Sequence, residues 1–423
     1  MVEYERRELY YRLGRMYDEG VFSRASMVVC FGFNYFAKCI VAFLLGAGVE
    51  QSKIRIVDNY VTDSVYKGVN VQRPDVVLEP FDADAVILLA SSYNKAMAKQ
   101  LKKLGYRRKR QIFEILNNAS KLYKLGSRIK VTHPDRYNKI LRNMIFPIYK
   151  HTHADLYQKM QRNGKFKDIH KGERCFIMGN GPSLKEVDFS LLENEIVFGV
   201  NHIMKVPGWE KAKINYWTCT DGEYLGIWTN AIYTFWEEIQ KLQGKGISCF
   251  IPFEAEHYCK LHKLDEVLDL NYINAQEQYT SIDQTMRIRD IDITRFMMQG
   301  FNVVLTSINI AIYMGFSEIY LLGCNQSNLK SELLYYLDHQ AIDSHAFESN
   351  NNEASAILES KVNTQGILYG IKIEVIQIIQ FGMLYDYCKR KGIKLVNLSC
   401  PTLIENVPQD TLENVLGGWK NEV

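Results

Sequence analysis

The sequence predicts an α/β protein with two Rossmann-like, doubly wound domains joined by a basic helical linker. Its 423 residues are enough for two or three domains of ordinary size. Short apolar runs alternate with helical patterns in residues 1–116 and again in 171–423. Between them, residues 117–170 are polar, basic and interspersed with aromatic side chains, which is typical of a few connecting helices.

In the first region, residues 1–24 carry an apolar stripe at helical spacing and predict an amphipathic helix. The run SMVVCFGFNYFAKCIVAFLLGAGV then predicts a buried strand and a helix. Further strands are predicted for KIRIVDNY, ADAVILLASS and RQIFEIL, with a helix over 93–104. This β–α alternation indicates a small doubly wound domain.

The first turn of that domain, Gly32 to Ala37, is an altered form of the G-x-G-x-x-G/A fingerprint. Asp58 ends the second strand, where a ribose-binding acid would lie. However, Asn34 replaces the middle glycine, which puts the close approach of a pyrophosphate in doubt. The pattern favours a domain used for packing or regulation, and nucleotide binding is the alternative.

Charge is unevenly distributed along the chain. Residues 102–174 carry 20 basic and 5 acidic groups, whereas 175–423 carry 19 basic and 31 acidic groups. This asymmetry suggests that one face meets an anionic partner, such as a membrane surface or a glycan carrier. A solvated, lysine-rich linker is the alternative. The charged N-terminus and nine scattered cysteines indicate a reducing cytoplasm.

The second region begins with the loop Gly179-Asn180-Gly181-Pro182-Ser183, which separates two apolar runs. The glycines permit backbone angles closed to other residues, and the proline suits the first turn of a helix. The serine and the loop N–H groups would then lie at a helix N-terminus, which favours an anion. The loop therefore predicts a phosphate or nucleotide site, although an ordinary β–α turn has the same composition.

Further along, strands are predicted at 213–221, 246–253 and 317–325, and helices over 224–242, over the apolar run from Asn302, and from about 363 to Arg390. Residues 254–300 show no clear period and are interpreted as an excursion covering the site. Residues 326–362 are polar and are interpreted as loop. A last strand and a short helix close the region.

Polar side chains follow the predicted strands of this region: Asn180, Ser183, Asn201, Asp221 and Asn325. Because the carboxyl ends of parallel strands meet in one crevice, these side chains can face a single ligand. Amides and a hydroxyl suit hydrogen bonds to a ribose, base and phosphate better than metal chelation. The Walker lysine is missing, so P-loop phosphoryl transfer is not predicted.

The motifs GNGPSL, VFGVN, CTD, IAIYMGFSEIYLLGCN and GIKLVNLSCPTLIENVP, with a late histidine, resemble one superfamily over about 171–417. It contains the bacterial sialyltransferases of glycosyltransferase family 42, the flagellin-glycosylating motility-associated factors, the domain-of-unknown-function-115 proteins and the archaeal 6-hydroxymethylpterin diphosphokinases. The motifs are fairly specific to the superfamily and do not choose among its activities.

The resemblance implies roles for particular residues. In the sialyltransferases, the loop asparagine and the asparagine after the second strand contact the cytidine nucleotide, and their matches are Asn180 and Asn201. A later histidine acts there as general base on the acceptor hydroxyl. His345, in SHAFE, is the best match, and His339 competes with it. Histidine is also the side chain best suited to that role near neutral pH, but a surface-loop histidine is the alternative.

One departure from the family concerns Asn325, where relatives usually carry aspartate. The amide weakens charge-based metal binding and leaves open a changed donor or a lost activity. The predicted N-terminal domain is a second difference from the smaller relatives. It suits multi-domain proteins of surface-polysaccharide synthesis.

Together these features lead us to expect a cytoplasmic, membrane-peripheral glycosyltransferase. Its donor would be a nucleotide-activated sugar, for example a CMP-linked nonulosonic or sialic acid, and its acceptor a capsule, lipooligosaccharide or flagellin glycan. No metal or other cofactor is expected. The alternatives are a pterin-type diphosphokinase using ATP and Mg²⁺, and a non-catalytic component of polysaccharide assembly. No nucleic-acid partner is expected, and helix 1–24 could form a homo-oligomer.

Overall fold

The computed structural model shows a mixed α/β protein with two parallel-rich sheets, which confirms the predicted class at that level. It describes residues 2–79, 81–91, 93–115, 150, 154–221, 235–277, 288, 291–299, 302–338, 345–346 and 367–417. Most of the predicted basic linker and His339 lie outside these residues. The chain divides into unit 1 (Met1–Leu141, Gly222–Phe235, Glu254–Leu264) and unit 2 (Arg142–Asp221, Trp236–Phe253, Asp265–Val423).

The helices are α1 Val2–Asp18, α2 Tyr35–Gly46, α3 Pro74–Leu78, α4 Asn94–Lys103, α5 Ala154–Gln161, α6 Phe235–Ile239, α7 Glu256–Leu261, α8 Val303–Met314, α9 Asn328–Asp338, α10 Ile367–Lys391 and α11 Leu412–Gly417. The strands are β1 Val28–Phe31, β2 Ile54–Val57, β3 Val65–Tyr66, β4 Val69–Gln72, β5 Val86–Leu89, β6 Ile112–Glu114, β7 Arg174–Met178, β8 Ile196–Val200, β9 Tyr216–Thr218, β10 Ser248–Pro252, β11 Asp269–Glu277, β12 Phe296–Gln299, β13 Glu318–Leu322 and β14 Lys394–Asn397.

The sheet of unit 1 has the order β3-β4-β2-β1-β5-β6. Every neighbouring pair is parallel except the hairpin β3–β4, which the sequence did not predict. Strands β1 and β5 are apolar along their whole length and buried at every position. Such continuous apolar runs are typical of parallel strands covered on both faces.

The first turn of unit 1 is held by hydrogen bonds from and to neighbouring residues of the protein. The Asp58 carboxylate accepts hydrogen bonds from the backbone N–H groups of Phe33 (2.7 Å), Tyr60 (2.8 Å) and Val61 (3.0 Å). Burial alone would raise the pKa of Asp58, but these hydrogen bonds lower it below its usual value. Asn34 Oδ1 accepts from Ala37 N at 3.0 Å and caps α2. Both side chains thus stabilise the turn.

The expectation that residues 254–300 form an irregular excursion is wrong. Helix α7 belongs to unit 1, where His257 and Tyr258 contact Phe43 of α2. Strands β11 and β12 continue the sheet of unit 2. Strand β11 escapes sequence analysis because buried asparagines, Asn271 and Asn274, interrupt its apolar pattern.

The sheet of unit 2 has the order β12-β11-β10-β9-β8-β7-β13-β14, and all its strand pairs are parallel. From β7 the chain builds the sheet in one direction as far as β12. It then returns through α8 to β13 on the other side of β7. The direction of winding therefore changes at β7, and ligands of open α/β sheets bind at the carboxyl ends of strands at such a switch point.

Helix α8 carries much of the core of unit 2, and most of its residues are buried. Asn302 caps its start, because Oδ1 accepts from Val304 N at 2.9 Å. Helix α10 also contributes Phe381 and Leu384 to the core. Its length and mean hydropathy of 1.5 would suit a membrane-spanning helix as well. Helix α9 corrects the first part of the loop expected over 326–362. Its leucines, lysine and glutamate favour helix despite polar neighbours.

Candidate functional site

The glycines of the loop after β7 allow close packing against the end of β13. Gly179 N donates to Leu322 O and Gly181 N to Gly323 O, each at 2.8 Å. A Cβ on Gly179 would lie 2.5 Å from Gly323 O, and one on Gly181 would lie 2.4 Å from Asn325 Oδ1. Neither glycine has a left-handed backbone. Space, rather than the expected backbone freedom, therefore requires glycine here.

The short helix expected after the loop is a 3-10 helix. Pro182 begins a five-residue 3-10 turn, Pro182–Glu186. Ser183 donates from both N and Oγ to Asn325 Oδ1, at 3.1 and 2.8 Å. Asn325 in turn donates from Nδ2 to Pro401 O at 2.6 Å. Ser183 and Asn325 thus bind each other and connect the loop to the segment after β14.

Asn180 presents a single unsatisfied acceptor. Its Nδ2 donates to Val200 O at 3.1 Å, which fixes the orientation of the amide. Its Oδ1 is buried and has no hydrogen-bond partner within the described part of the chain. Buried polar atoms of this kind are uncommon in folded proteins because an unmade hydrogen bond is costly. The atom therefore marks a place that a ligand donor would fill.

Asn201, at the end of the neighbouring strand β8, presents a second unsatisfied acceptor. Its backbone is left-handed, with φ of 44°. Its N donates to Thr218 O at 3.0 Å, and its O accepts from Trp217 Nε1 at 2.9 Å. Oδ1 of Asn201 and Oγ1 of Thr218 are both buried without a partner among the residues described. Thr218 was not predicted, because its only sequence signal is a position at the end of a strand.

His345 lies close to the same loop. Ala346 N donates to the carbonyl oxygen of Asn180 at 2.7 Å, so the residue before it is held beside the loop. His345 itself is half-buried. Asp221 is half-buried and follows β9 by three residues at the same sheet edge. The catalytic and binding roles of these residues stay predictions.

Cys324, beside the loop, is poorly suited to act as a nucleophile. Burial raises the pKa of Cys324 to about 12, so this thiol stays neutral at physiological pH. Within the ranges that the structure describes, no group of three or more His, Cys, Asp or Glu side chains is arranged to hold a metal ion. The groups available at this edge are amides, hydroxyls, a carboxylate and an imidazole.

No protein-family model matches the chain, and no curated protein sequence matches it. Among solved structures, the chain is similar to the sialyltransferase CstII from Campylobacter jejuni, determined in complex with the substrate analogue cytidine-5'-monophosphate. The identity is 20%, covering 56% of this chain and 85% of that one, with a TM-score of 0.30.

The chain is also similar to the MAf glycosyltransferase from Magnetospirillum magneticum AMB-1. The identity is 13%, covering 95% of this chain and 62% of that one, with a TM-score of 0.32. Both neighbours are glycosyltransferases. The relation to domain-115 proteins and diphosphokinases stays a prediction. Because both similarities are low, the chemistry of the site is inferred from the residues of this chain and not from its neighbours.

Proposed function

We propose that the chain is a glycosyltransferase that uses a nucleotide-activated sugar, with the nucleotide bound over Gly179–Ser183 and Asn201. One observation carries this proposal. The Oδ1 atoms of Asn180 and Asn201 are buried without partners among the described residues, at the ends of adjacent strands. They lie at the point where the winding of the sheet changes direction, which is where ligands bind in this architecture.

The open atoms indicate the kind of ligand. Both are amide oxygens that accept hydrogen bonds, and Asn180 cannot present its NH₂ instead because Val200 O holds it. The ligand must therefore supply donors. A cytidine nucleotide supplies ribose hydroxyls and the exocyclic amino group of cytosine. Together with the sequence motifs, this favours a CMP-linked sugar such as a sialic or nonulosonic acid, with Asp221 as a further acceptor.

The reaction would transfer the sugar to a glycan hydroxyl. The acceptor oxygen forms a bond to the anomeric carbon, the bond from that carbon to the phosphate oxygen breaks, and CMP leaves with the electron pair. His345, held near the loop through Ala346, takes the proton of the acceptor hydroxyl. In this scheme the phosphate leaves without a divalent metal.

The wider assignment rests on the sequence and on topology. Without the β3 hairpin strand, the order β4-β2-β1-β5-β6 in unit 1 follows the doubly wound pattern, which supports a Rossmann-like fold for this unit. The basic linker is proposed from the sequence alone. The basic residues of 102–174 would hold the enzyme at the cytoplasmic face of an anionic membrane during synthesis of a bacterial surface glycan. Binding to anionic vesicles that weakens with added salt would support this role, and salt-insensitive or absent binding would contradict it.

A thermal-shift panel of CMP, CDP, UDP, GDP, ATP with Mg²⁺, and NAD tests the proposal. A ligand at a hundred times its dissociation constant stabilises the folded state by about 2.7 kcal/mol, which is readily detected. We expect stabilisation by CMP or CDP that is lost in Asn180→Ala. Asn414→Ala is the matched control, because among the described residues the side chain of this exposed asparagine bonds to Asp410 alone.

Each other outcome of the panel contradicts the proposal in its own way. Stabilisation by ATP with Mg²⁺ alone, followed by AMP formation with a pterin substrate, would assign the chain to the diphosphokinases. Stabilisation by CMP that persists in Asn180→Ala would place the nucleotide elsewhere. No response to any nucleotide would favour a non-catalytic component of polysaccharide assembly.

A further inference from the structure

A partly buried cluster of His202, Glu238 and Lys205 lies directly beside Asn201. The next residue, His202, is only 6% exposed, and its Nδ1 lies 3.0 Å from Glu238 Oε2. The other oxygen of Glu238 lies 3.1 Å from Lys205 Nζ. Lys205 N also donates to His202 O at 2.8 Å and closes the short turn that follows β8. One carboxylate of α6 therefore holds both ends of this turn.

Asn201 has a left-handed backbone, a conformation that residues other than glycine adopt infrequently, although asparagine adopts it more often than most. On one side, Asn201 is held by hydrogen bonds to Thr218 O and from Trp217 Nε1. On its other side, Asn201 is followed directly by His202. A residue in a strained conformation keeps it only when its surroundings over-determine it.

The carboxylate of this cluster is stabilised in its ionised form. Burial alone would raise the pKa of Glu238, but the hydrogen bonds and charges of His202 and Lys205 outweigh burial and lower it. Glu238 therefore stays ionised near neutral pH. An ionised acceptor makes stronger hydrogen bonds than a neutral one.

We propose that His202 is a positioning residue, which, through Glu238 and Lys205, fixes the turn after β8 so that the Oδ1 atom of Asn201 faces the ligand. The ligand part of this inference rests on the proposed function. The positioning of Asn201 does not, because it concerns the free protein.

The first experiment measures positioning without a ligand. Hydrogen exchange is followed by NMR at Asn201 N–H and at the indole N–H of Trp217, the two donors bonded around Asn201. His202→Leu keeps the side-chain volume and removes the donor, and we expect exchange at both sites to accelerate about tenfold or more, the factor that corresponds to 1.4 kcal/mol. His202→Asn places an amide N–H near the position of Nδ1, and we expect it to restore slow exchange.

Two further variants keep this experiment decisive. Glu193→Gln breaks an exposed ion pair of the same unit, with Lys213, and should leave both exchange rates unchanged. If His202→Leu does not fold, Glu238→Gln removes the charge and should accelerate exchange at the same two sites. Exchange that is unchanged in His202→Leu, or in Glu238→Gln where that variant replaces it, would overturn the inference.

The second experiment is a double-mutant cycle on CMP affinity with Asn201→Ala and His202→Leu. If His202 acts through Asn201, each single variant weakens binding about tenfold and the double variant is no weaker than Asn201→Ala. Losses that multiply would show that His202 does not act through Asn201. If the wild-type chain does not bind CMP, the proposed function fails, whereas the exchange experiment still decides the positioning of Asn201.

Discussion

Asn325 donates a hydrogen bond from its side-chain Nδ2 to the carbonyl oxygen of Pro401, at 2.6 Å. Its other amide atom, Oδ1, accepts two hydrogen bonds from Ser183. An aspartate could accept from Ser183, but it has no donor for Pro401 when ionised. The Asn325 side chain therefore joins two loops at the edge of the sheet.

This relationship predicts that Asn325→Asp destabilises the protein. The substitution removes a buried donor and sets a carboxylate oxygen against the Pro401 carbonyl, which should cost about 1–3 kcal/mol of unfolding free energy. Urea denaturation monitored by circular dichroism measures it. Ser183→Ala, which leaves the bond to Pro401 intact, should cost about 1 kcal/mol. Equal stability of Asn325→Asp and wild type would show that the bond to Pro401 contributes nothing.

Gly181→Ala should be more disruptive than its size suggests. The added Cβ would lie 2.4 Å from Asn325 Oδ1 and 2.5 Å from Gly323 O, so the loop must move away from β13. We expect a loss of about 1–3 kcal/mol, typical of overpacking, together with weaker CMP binding. Gly417→Ala is the control, because none of the described atoms lies within 4 Å of its added Cβ. If the two variants have the same stability and CMP affinity, the packing explanation is wrong.

Much of the fold could be predicted because strand and helix signals are local. The apolar runs of β1, β7 and β8, and the uninterrupted apolar stretch of α8, are visible in any short window. Strand β11 was missed because its buried asparagines interrupt the apolar pattern, and their burial depends on packing that no window reveals. The placement of α7 with unit 1 is likewise a long-range contact.

The site could be predicted only in outline. Parallel strands bring their carboxyl ends together, so the positions of Asn180 and Asn201 followed from topology alone. The hydrogen-bond partners of these side chains could not be predicted from topology. The pairing of Ser183 with Asn325 joins residues 142 apart in sequence, and the orientation of Asn180 depends on Val200 O. Which polar atoms remain open to a ligand is decided by such contacts.

His345→Ala should slow sugar transfer about 10²–10⁴-fold, the usual contribution of a general base, while leaving CMP affinity unchanged. In the proposed reaction the imidazole takes a proton from the acceptor hydroxyl and is not needed to hold the nucleotide. Single-turnover transfer rates and CMP titrations measure the two effects separately. His262→Ala, in unit 1, is the control and should transfer at the wild-type rate. Unchanged transfer in His345→Ala would remove it from this role.

The stability of unit 1 should fall as the solution becomes acidic, because of His257. This histidine is 5% exposed and packs against Tyr17 and Phe43, with ring centroids 4.4 and 4.9 Å away. Its ring nitrogens have no hydrogen-bond partner in the described ranges, and Asp18 Oδ1 lies 3.5 Å from Nδ1. Burial lowers the pKa of His257 below its usual value, although the Asp18 carboxylate opposes this.

The direction of this pH dependence follows from the difference between the folded and unfolded pKa of His257. The unfolded chain takes up a proton on His257 more readily than the folded one, so stability is complete above the unfolded pKa of about 6.5 and declines as pH falls through and below it. Lys260 adds to this effect and Glu256 opposes it. Urea denaturation at several pH values between 5 and 8, with hydrogen exchange in α2 as the local readout, measures the decline. His257→Phe keeps the aromatic packing and should flatten it. A decline as steep in His257→Phe as in the wild type would assign the pH dependence to other groups.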